Sequence, residues 1–266
     1  MDETSENGEF GPAPDDAVVD EMLAAARPRL HRALRRIGRP RARVAVIETA
    51  LGRLLIADGP RGLLAVKYLD SSDGAGALAE LRQRFDLEEH PATAARIAGE
   101  IERFLAGDVA AVTHRRVDLS LVESDFQRRA LKRLRRVPPG SVVTYAALAD
   151  AIGAPASQRA IGNTMASNPL PIYVPCHRVI KSDGTIGNYG GGVKRKLRLL
   201  GAEGFRADRG NRLPGTAVYG HWASRIFCRP ACSSVRRANR KRWLIFGDAA
   251  HARGAGMRAC KICHPA

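Results

Sequence analysis

Five cysteines are placed in two very different ways along 266 residues, and their placement narrows the fold more than any other feature. Cys176 stands alone in the interior, whereas Cys228, Cys232, Cys260 and Cys263 crowd the C-terminal end as Cys-x3-Cys and Cys-x2-Cys pairs. A secreted disulfide framework spreads an even number of cysteines through a short chain. One isolated thiol beside a compact set of four points instead to one reactive residue and one metal site. The paired spacing suits tetrahedral thiolate ligation of zinc. Free surface thiols or a redox pair are the competing readings, and His264 is a weaker substitute ligand beside Cys263.

Charge adds a partner class. A formal net charge of +16 attracts polyanions, of which duplex DNA is the densest common one. A merely basic, soluble chain is the alternative. The acidic start, Met1 to Asp16, does not read as a signal peptide, and no apolar run approaches a membrane span. The expectation is a cytoplasmic, nucleoid-associated monomer without membrane attachment.

Residues 1–43 turn from acidic to strongly basic and read as a tail, with a basic helix over Leu23–Ile37. VAVIET, GRLLIAD and GLLAVKYL are three short strands between turn-forming glycines, followed by apolar residues at helical spacing over Ala75–Phe85 and Ala92–Leu105. This small unit holds no cluster of nucleophile, base and ligands, so its role reads as structural. Phe126–Leu134 predicts a further helix before the Pro138-Pro139-Gly140 break. TYAALADAIGAPASQRAIGNTMASNP then has the rhythm of a helix-turn-helix. Thr144 caps the first helix, Gly153–Pro155 turns the chain and Ser157 opens the second helix. Ala146, Leu148, Ala149 and Ile152 are expected to face the core, joined by Ala160, Ile161 and Met165, with Arg159 exposed. KSDGTIGNYGGG reads as a turn-rich hairpin and Val193–Ala202 as the final helix.

The thiolate is the nucleophilic form of cysteine, so Cys176 needs a base, and His177 is adjacent in sequence. Adjacency alone favours the plainer reading of a buried structural cysteine beside a surface histidine. PCHRVI, preceded by NP and followed by NYGGG, resembles the active-site signature of the O6-alkylguanine-DNA alkyltransferases, also called methylated-DNA–protein-cysteine methyltransferases. FQRRALKRLRRVPPGSVVTYAALADAIGAPASQRAIG fits the same family in content and order. The likeness is dense over Phe126–Gly204 and weaker over Val44–Leu121.

The resemblance implies roles. Cys176 is the alkyl acceptor, used once. His177 draws off its proton through water, and Glu203 orients that histidine. Tyr145 presses on the phosphate 3′ to the target and donates to the base. Arg159 fills the space left by the flipped guanine, and Ser157 lies with it on the DNA-facing side. Asn168 braces the turn into the cysteine loop, and Val174, Tyr189, Gly190, Gly191 and the Gly192 backbone line the pocket. Some relatives carry Ser where Gly190 stands, and that hydroxyl helps bind O6. Alkyltransferase-like proteins that only bind lesions usually replace the acceptor with Trp, so Cys176 separates this chain from them.

VYGHWASRIFCRPACSS and MRACKICHPA in turn resemble the zinc-binding methylphosphotriester-repair domain of the Ada adaptive-response protein. That resemblance implies Cys228, Cys232, Cys260 and Cys263 as zinc ligands and Cys228 as a candidate second acceptor, taking methyl from a DNA phosphotriester. The expected fold class is α+β: a basic tail (1–43), a small sheet-and-helix domain (44–121), a helical alkyltransferase domain with the helix-turn-helix (122–204) and a small zinc module (205–266). The expected partner is double-stranded DNA containing O6-alkylguanine, with zinc as cofactor and none needed at Cys176. The alternative function is a lesion-sensing or regulatory DNA-binding protein without transfer chemistry.

Overall fold

The computed structural model describes residues 21–22, 24–26, 38–70, 74–237 and 243–265, so most of the basic helix expected over Leu23–Ile37 lies outside the described residues. The chain divides at Pro40, and Arg41–Ala266 forms one compact unit. Among the described residues no helix is long and apolar enough to cross a membrane.

The first three strands are β1 (Arg41–Thr49), β2 (Gly52–Gly59) and β3 (Gly62–Tyr68), joined by tight turns at Gly52 and Gly62, both with positive φ. A fourth, β4 (Asp86–Glu89), pairs parallel to β1 and gives the order β3-β2-β1-β4. The charged run DLEE gives no apolar signal for a strand; its pairing with β1 makes it one. Side-chain alternation sends Ala42, Val44, Ala57 and Ala65 to one face, against Leu81 and Phe85 at the end of α1 (Gly74–Arg84). Ile47, Leu54, Ile56 and Val66 face the opposite side. There Ile97, Ile101 and Phe104 line the apolar stripe of α2 (Pro91–Leu105). Pro91 opens α2 at a position that needs no N–H donor, and the His90 side chain accepts from Thr93 N. A short α3 (Ala110–Thr113) follows.

α4 (Asp125–Leu134) is capped by Ser124 and carries Lys132 and Arg133 in its last turn, complementing the helix dipole. The helix-turn-helix consists of α5 (Tyr145–Ala151) and α6 (Gln158–Ala166). Ala160 is exposed rather than turned to the core, because the buried line of α6 runs through Ile161, Thr164 and Met165. Ala146 is half-buried.

Helices do not complete the C-terminal half. β5 (Ser141–Thr144) and β6 (Val179–Ile180) lie in one sheet with β7 (Val218–His221), β8 (Ile226–Cys228), β9 (Trp243–Phe246) and β10 (Arg258–Ala259), in the order β10-β8-β7-β9-β5-β6. α7 (Val193–Ala202) is not the last helix, since α8 (Ser233–Arg237) and α9 (Ala249–Gly254) follow it. The stretch expected as a hairpin before α7 is a turn, closed by the Lys181 N–H to Thr185 O, with its one bridge made to Arg212.

The seam between the two cysteine regions is thus a strand pair. β9 runs antiparallel to β5, with Ser141 opposite Phe246 and Val142 opposite Ile245. Val142, Ile180, Leu200, Phe205 and Ile245 close over the seam as one apolar cluster. Phe246 is fully buried beside it. Phe246→Ala should cost about 3–5 kcal/mol of stability, the range for deleting a buried aromatic ring. In urea unfolding, probes near Cys176 and near Cys228 should shift together. A shift confined to the Cys228 end would show that the two regions unfold independently.

Candidate active site and zinc centre

Thr144 turns β5 into α5. Its hydroxyl accepts the Ala147 N–H at 3.1 Å, which places Tyr145 at the first position of the helix. Tyr145 is half-buried, and burial, followed by a negative charge on Cys176, pushes its phenol above the ordinary range. It is therefore a neutral O–H donor. Gly153 turns the chain at φ 73°, and Ser157 occupies the cap position of α6 without a capping hydrogen bond from its side chain. Arg159 stands exposed in the first turn of α6.

From α6 the chain enters the cysteine loop, whose backbone is held on every side. The Pro169 carbonyl accepts the Val66 N–H of β3 at 2.8 Å, and Val174 N donates to Leu170 O at 2.7 Å. Tyr173 donates its buried hydroxyl to Glu100 of α2 at 3.0 Å, and Glu100 pairs with Arg115. Ile172 adopts φ 76°, a conformation that strains a β-branched residue and persists only where surroundings impose it.

Asn168 is the hub. Its Nδ2 donates to Val174 O at 2.9 Å and to the Cys176 Sγ at 3.1 Å, while its Oδ1 accepts the Leu170 N–H at 3.0 Å. It thus braces the loop and also touches the sulfur. Val174 does not line the cavity. Its side chain is packed in the core, and its contribution is the carbonyl that Asn168 grips.

Cys176 begins a 3-10 turn, Cys176–Arg178, that leads into β6. Its sulfur borders a cavity of about 120 Å³ lined by residues of β3, α6, the cysteine loop and Tyr189–Gly191. Burial pushes the thiol above its ordinary range, opposed by hydrogen bonds from Asn168 and Tyr189 and by the charge of Lys196. The resting form at neutral pH is the thiol.

His177 is fully buried, with Nε2 at 2.8 Å from Glu203 Oε1. Burial lowers its pKa against the pull of Glu203, so the ring is a neutral base, and Nδ1 has no hydrogen-bond partner among the described residues. Arg178 completes the group. Its Nε lies 2.9 Å and its Nη2 2.7 Å from the two Glu203 oxygens, and Nη1 donates to Val137 O. Burial alone would raise the Glu203 carboxyl, but Arg178 and His177 outweigh it and bring the pKa to about 2.

Three residues in this arrangement carry no signal that the sequence reading used. Arg178 lies inside PCHRVI but takes its meaning from Glu203. Lys196 on α7 is buried among carbonyls, donating to Val179 O and Ile186 O at 2.6 Å each, with burial lowering its pKa to about 8. A charge on the same helical face as Leu199 and Leu200 was a visible hint. Tyr68 comes from β3, so the N-terminal sheet forms one wall of the cavity.

At the other end of the sheet, β8 and β10 run parallel and deliver Cys228 and Cys260 side by side. Cys232 and Cys263 follow on turns, and the four sulfurs lie within 4.8 Å of one another. Zn–S bonds of about 2.3 Å in a tetrahedron need sulfurs about 3.8 Å apart, so the set fits zinc with small adjustments. The Arg229 and Ile262 amides point at the Cys263 and Cys260 sulfurs, each at 3.4 Å, as donors that stabilise thiolates. His264 is not in the cluster.

Comparison with known proteins agrees with both centres. Residues 125–205 match the family described as "6-O-methylguanine DNA methyltransferase, DNA binding domain", and residues 205–266 match "Metal binding domain of Ada". A methylated-DNA–protein-cysteine methyltransferase of Mycolicibacterium paratuberculosis is 36% identical over 154 residues, covering 55% of this chain and 88% of the relative. The chain belongs to the methylated-DNA–protein-cysteine methyltransferase family. It is also 34% identical over 167 residues to the bifunctional transcriptional activator/DNA repair enzyme Ada of Escherichia coli, covering 63% of this chain and 47% of Ada. The chain therefore spans about half the length of that relative. The crystal structure of Mycobacterium tuberculosis OGT in complex with DNA is 30% identical with a TM-score of 0.51, over 61% of this chain and 93% of that one. The four-cysteine cluster is a zinc site of the Ada type.

Two outcomes test these centres. A carboxyl held at about 2 in the folded chain contributes stability that is complete above its ordinary range near pH 4.3 and is lost as the pH falls toward 2. His177, held neutral, adds a loss that begins below about pH 6.5. Urea midpoints should therefore fall steadily from pH 7 to 3, with the lower limb flattened in Glu203→Gln. An equally steep lower limb in that variant would contradict the assignment. Elemental analysis should find one zinc per chain, reduced in Cys232→Ser, and chelation should lower the melting temperature.

Proposed function

We propose that the protein repairs DNA by direct reversal, moving an alkyl group from O6 of guanine onto Cys176 once per molecule. The observation that carries this reading is the Cys176 sulfur bordering a cavity beside a helix-turn-helix, with a neutral base next to it in the chain. A base inside the duplex cannot meet a nucleophile in line, so the guanine must swing out at a cost of a few kcal/mol of stacking. Arg159, exposed on α6, enters the duplex and offsets part of that cost, with Ser157 on the same DNA-facing side.

The thiol proton passes through a water to His177 Nδ1, and Glu203 balances the charge that the ring gains. The sulfur then attacks the alkyl carbon. The S–C bond forms as the C–O6 bond breaks, and the electron pair leaves on guanine. Tyr145 donates a hydrogen bond to the base and stabilises the leaving charge, and the guanine recovers a proton. The product thioether is a poor leaving group, so the protein is consumed. Asn168 holds the sulfur in place, and Tyr189, Gly190 and Gly191 flank the alkyl group. At the zinc site, Cys228 is proposed as a second acceptor, for methyl from a phosphotriester. Four thiolates around one dication leave net negative charge, which keeps a bound sulfur nucleophilic.

Incubation with an O6-methylguanine duplex should add one methyl to the intact mass, located on Cys176 by peptide mapping and absent in Cys176→Ala. Binding of the duplex with unchanged mass would establish the lesion-sensing alternative. A methylphosphotriester duplex should mark Cys228. Arg159→Ala should slow repair of duplexes more than reaction with free alkylguanine, and equal slowing would remove the intercalating role.

A further inference from the structure

We propose that Tyr68, delivered from the N-terminal sheet, sets the upper size of the alkyl group that Cys176 accepts. The proposal rests on the reading of Cys176 as the acceptor and deepens it. In an in-line displacement the sulfur, the carbon and O6 share one axis, and the other substituents on the carbon splay sideways. For a methyl these are hydrogens. For a benzyl one of them is a phenyl ring, which must enter the walls that surround the sulfur.

Those walls include Tyr68, Met165, Asn168, Pro171 and Tyr189. Tyr189 lines the cavity together with the sulfur, and the Tyr68 hydroxyl lies 3.2 Å from that of Tyr189. The two rings meet edge to face at 6.2 Å and 71°, so Tyr68 stands one aromatic ring away from the reacting atom. It is 5% exposed.

Tyr68 is also backed by close contacts. A Cβ on Gly191 would lie 2.7 Å from Tyr68 Cε2, so the glycine loop is packed directly on the ring. The Arg195 guanidinium also packs on the ring, 4.7 Å from its centroid. Arg195 is itself tied to Gly191 O at 2.9 Å and to Asp70 at 2.6 Å, with a further hydrogen bond to Leu51 O. By contrast a Cβ on Gly190 would meet nothing nearer than Ala166 O at 4.0 Å. The cavity is thus open at Gly190 and closed at Tyr68, and its volume of about 120 Å³ is bounded by a ring from the other sheet.

The test compares single-turnover rates on O6-methylguanine and O6-benzylguanine duplexes for the full chain and for Tyr68→Phe, Tyr68→Leu, Tyr68→Ala and Arg195→Ala, with transfer located on Cys176 by peptide mass. The benzyl-to-methyl rate ratio should rise roughly tenfold or more in Tyr68→Leu and Tyr68→Ala, the scale on which pocket size sorts substrates. It should stay near the parent value in Tyr68→Phe, which keeps the ring. It should rise by a smaller factor in Arg195→Ala, where the ring stays but its backing is gone. An unchanged ratio in the Leu and Ala variants overturns the proposal. If those two fail to fold, an unchanged ratio in Arg195→Ala overturns it. A parent chain that takes no methyl onto Cys176 defeats the acceptor reading instead, independently of Tyr68.

Discussion

A carboxylate in a protein interior is tolerable only when it is paired and hydrogen-bonded, and the active region is arranged around one such group. Glu203 is ionised at 4% exposure because Arg178 clasps both of its oxygens and His177 takes the remaining position. All three constraints follow from that triangle. The end of α7 is fixed by Glu203, the 3-10 turn by Arg178 and His177, and the sulfur by its place one residue earlier. Removing any member would leave a charge or a donor stranded in the core. The geometry that a base beside a thiol requires is thereby made an obligation of folding.

The cysteine loop applies the same logic to the backbone. Asn168 satisfies a carbonyl, an amide and a sulfur from one side chain, and the unfavourable φ of Ile172 is sustained by the contacts of its neighbours with β3 and α2. The N-terminal sheet is therefore the surface against which the loop is pressed. Its edge strand β3 supplies Tyr68 to the cavity and a hydrogen bond to Pro169.

How much of this was legible in the chain depends on the range of the interactions involved. The Thr144 cap, the Gly153 turn, the apolar spacing of α2 and the paired cysteines are local patterns, and the sequence displays them. Cys176, His177, Asn168 and Glu203 were recoverable through a motif in which residues distant in number keep a fixed order. Tyr68 and Arg178 depend on partners more than twenty positions away, and nothing beside them in the chain announces those partners. β5 and β6 were hidden for a related reason. SVVT and VI are short and almost wholly buried, so they show no alternation, and only their pairing with β9 and with each other makes them strands. Ala160 shows the limit of periodicity: one step around α6 separates solvent from core.

The strand pair at Val142 and Ile245 has an effect that reaches beyond stability. With β5 and β9 sharing hydrogen bonds, the four clustered thiols and the thiol beside the helix-turn-helix lie toward opposite ends of one continuous sheet. A slip of register at that seam would change the spacing between the two thiol regions.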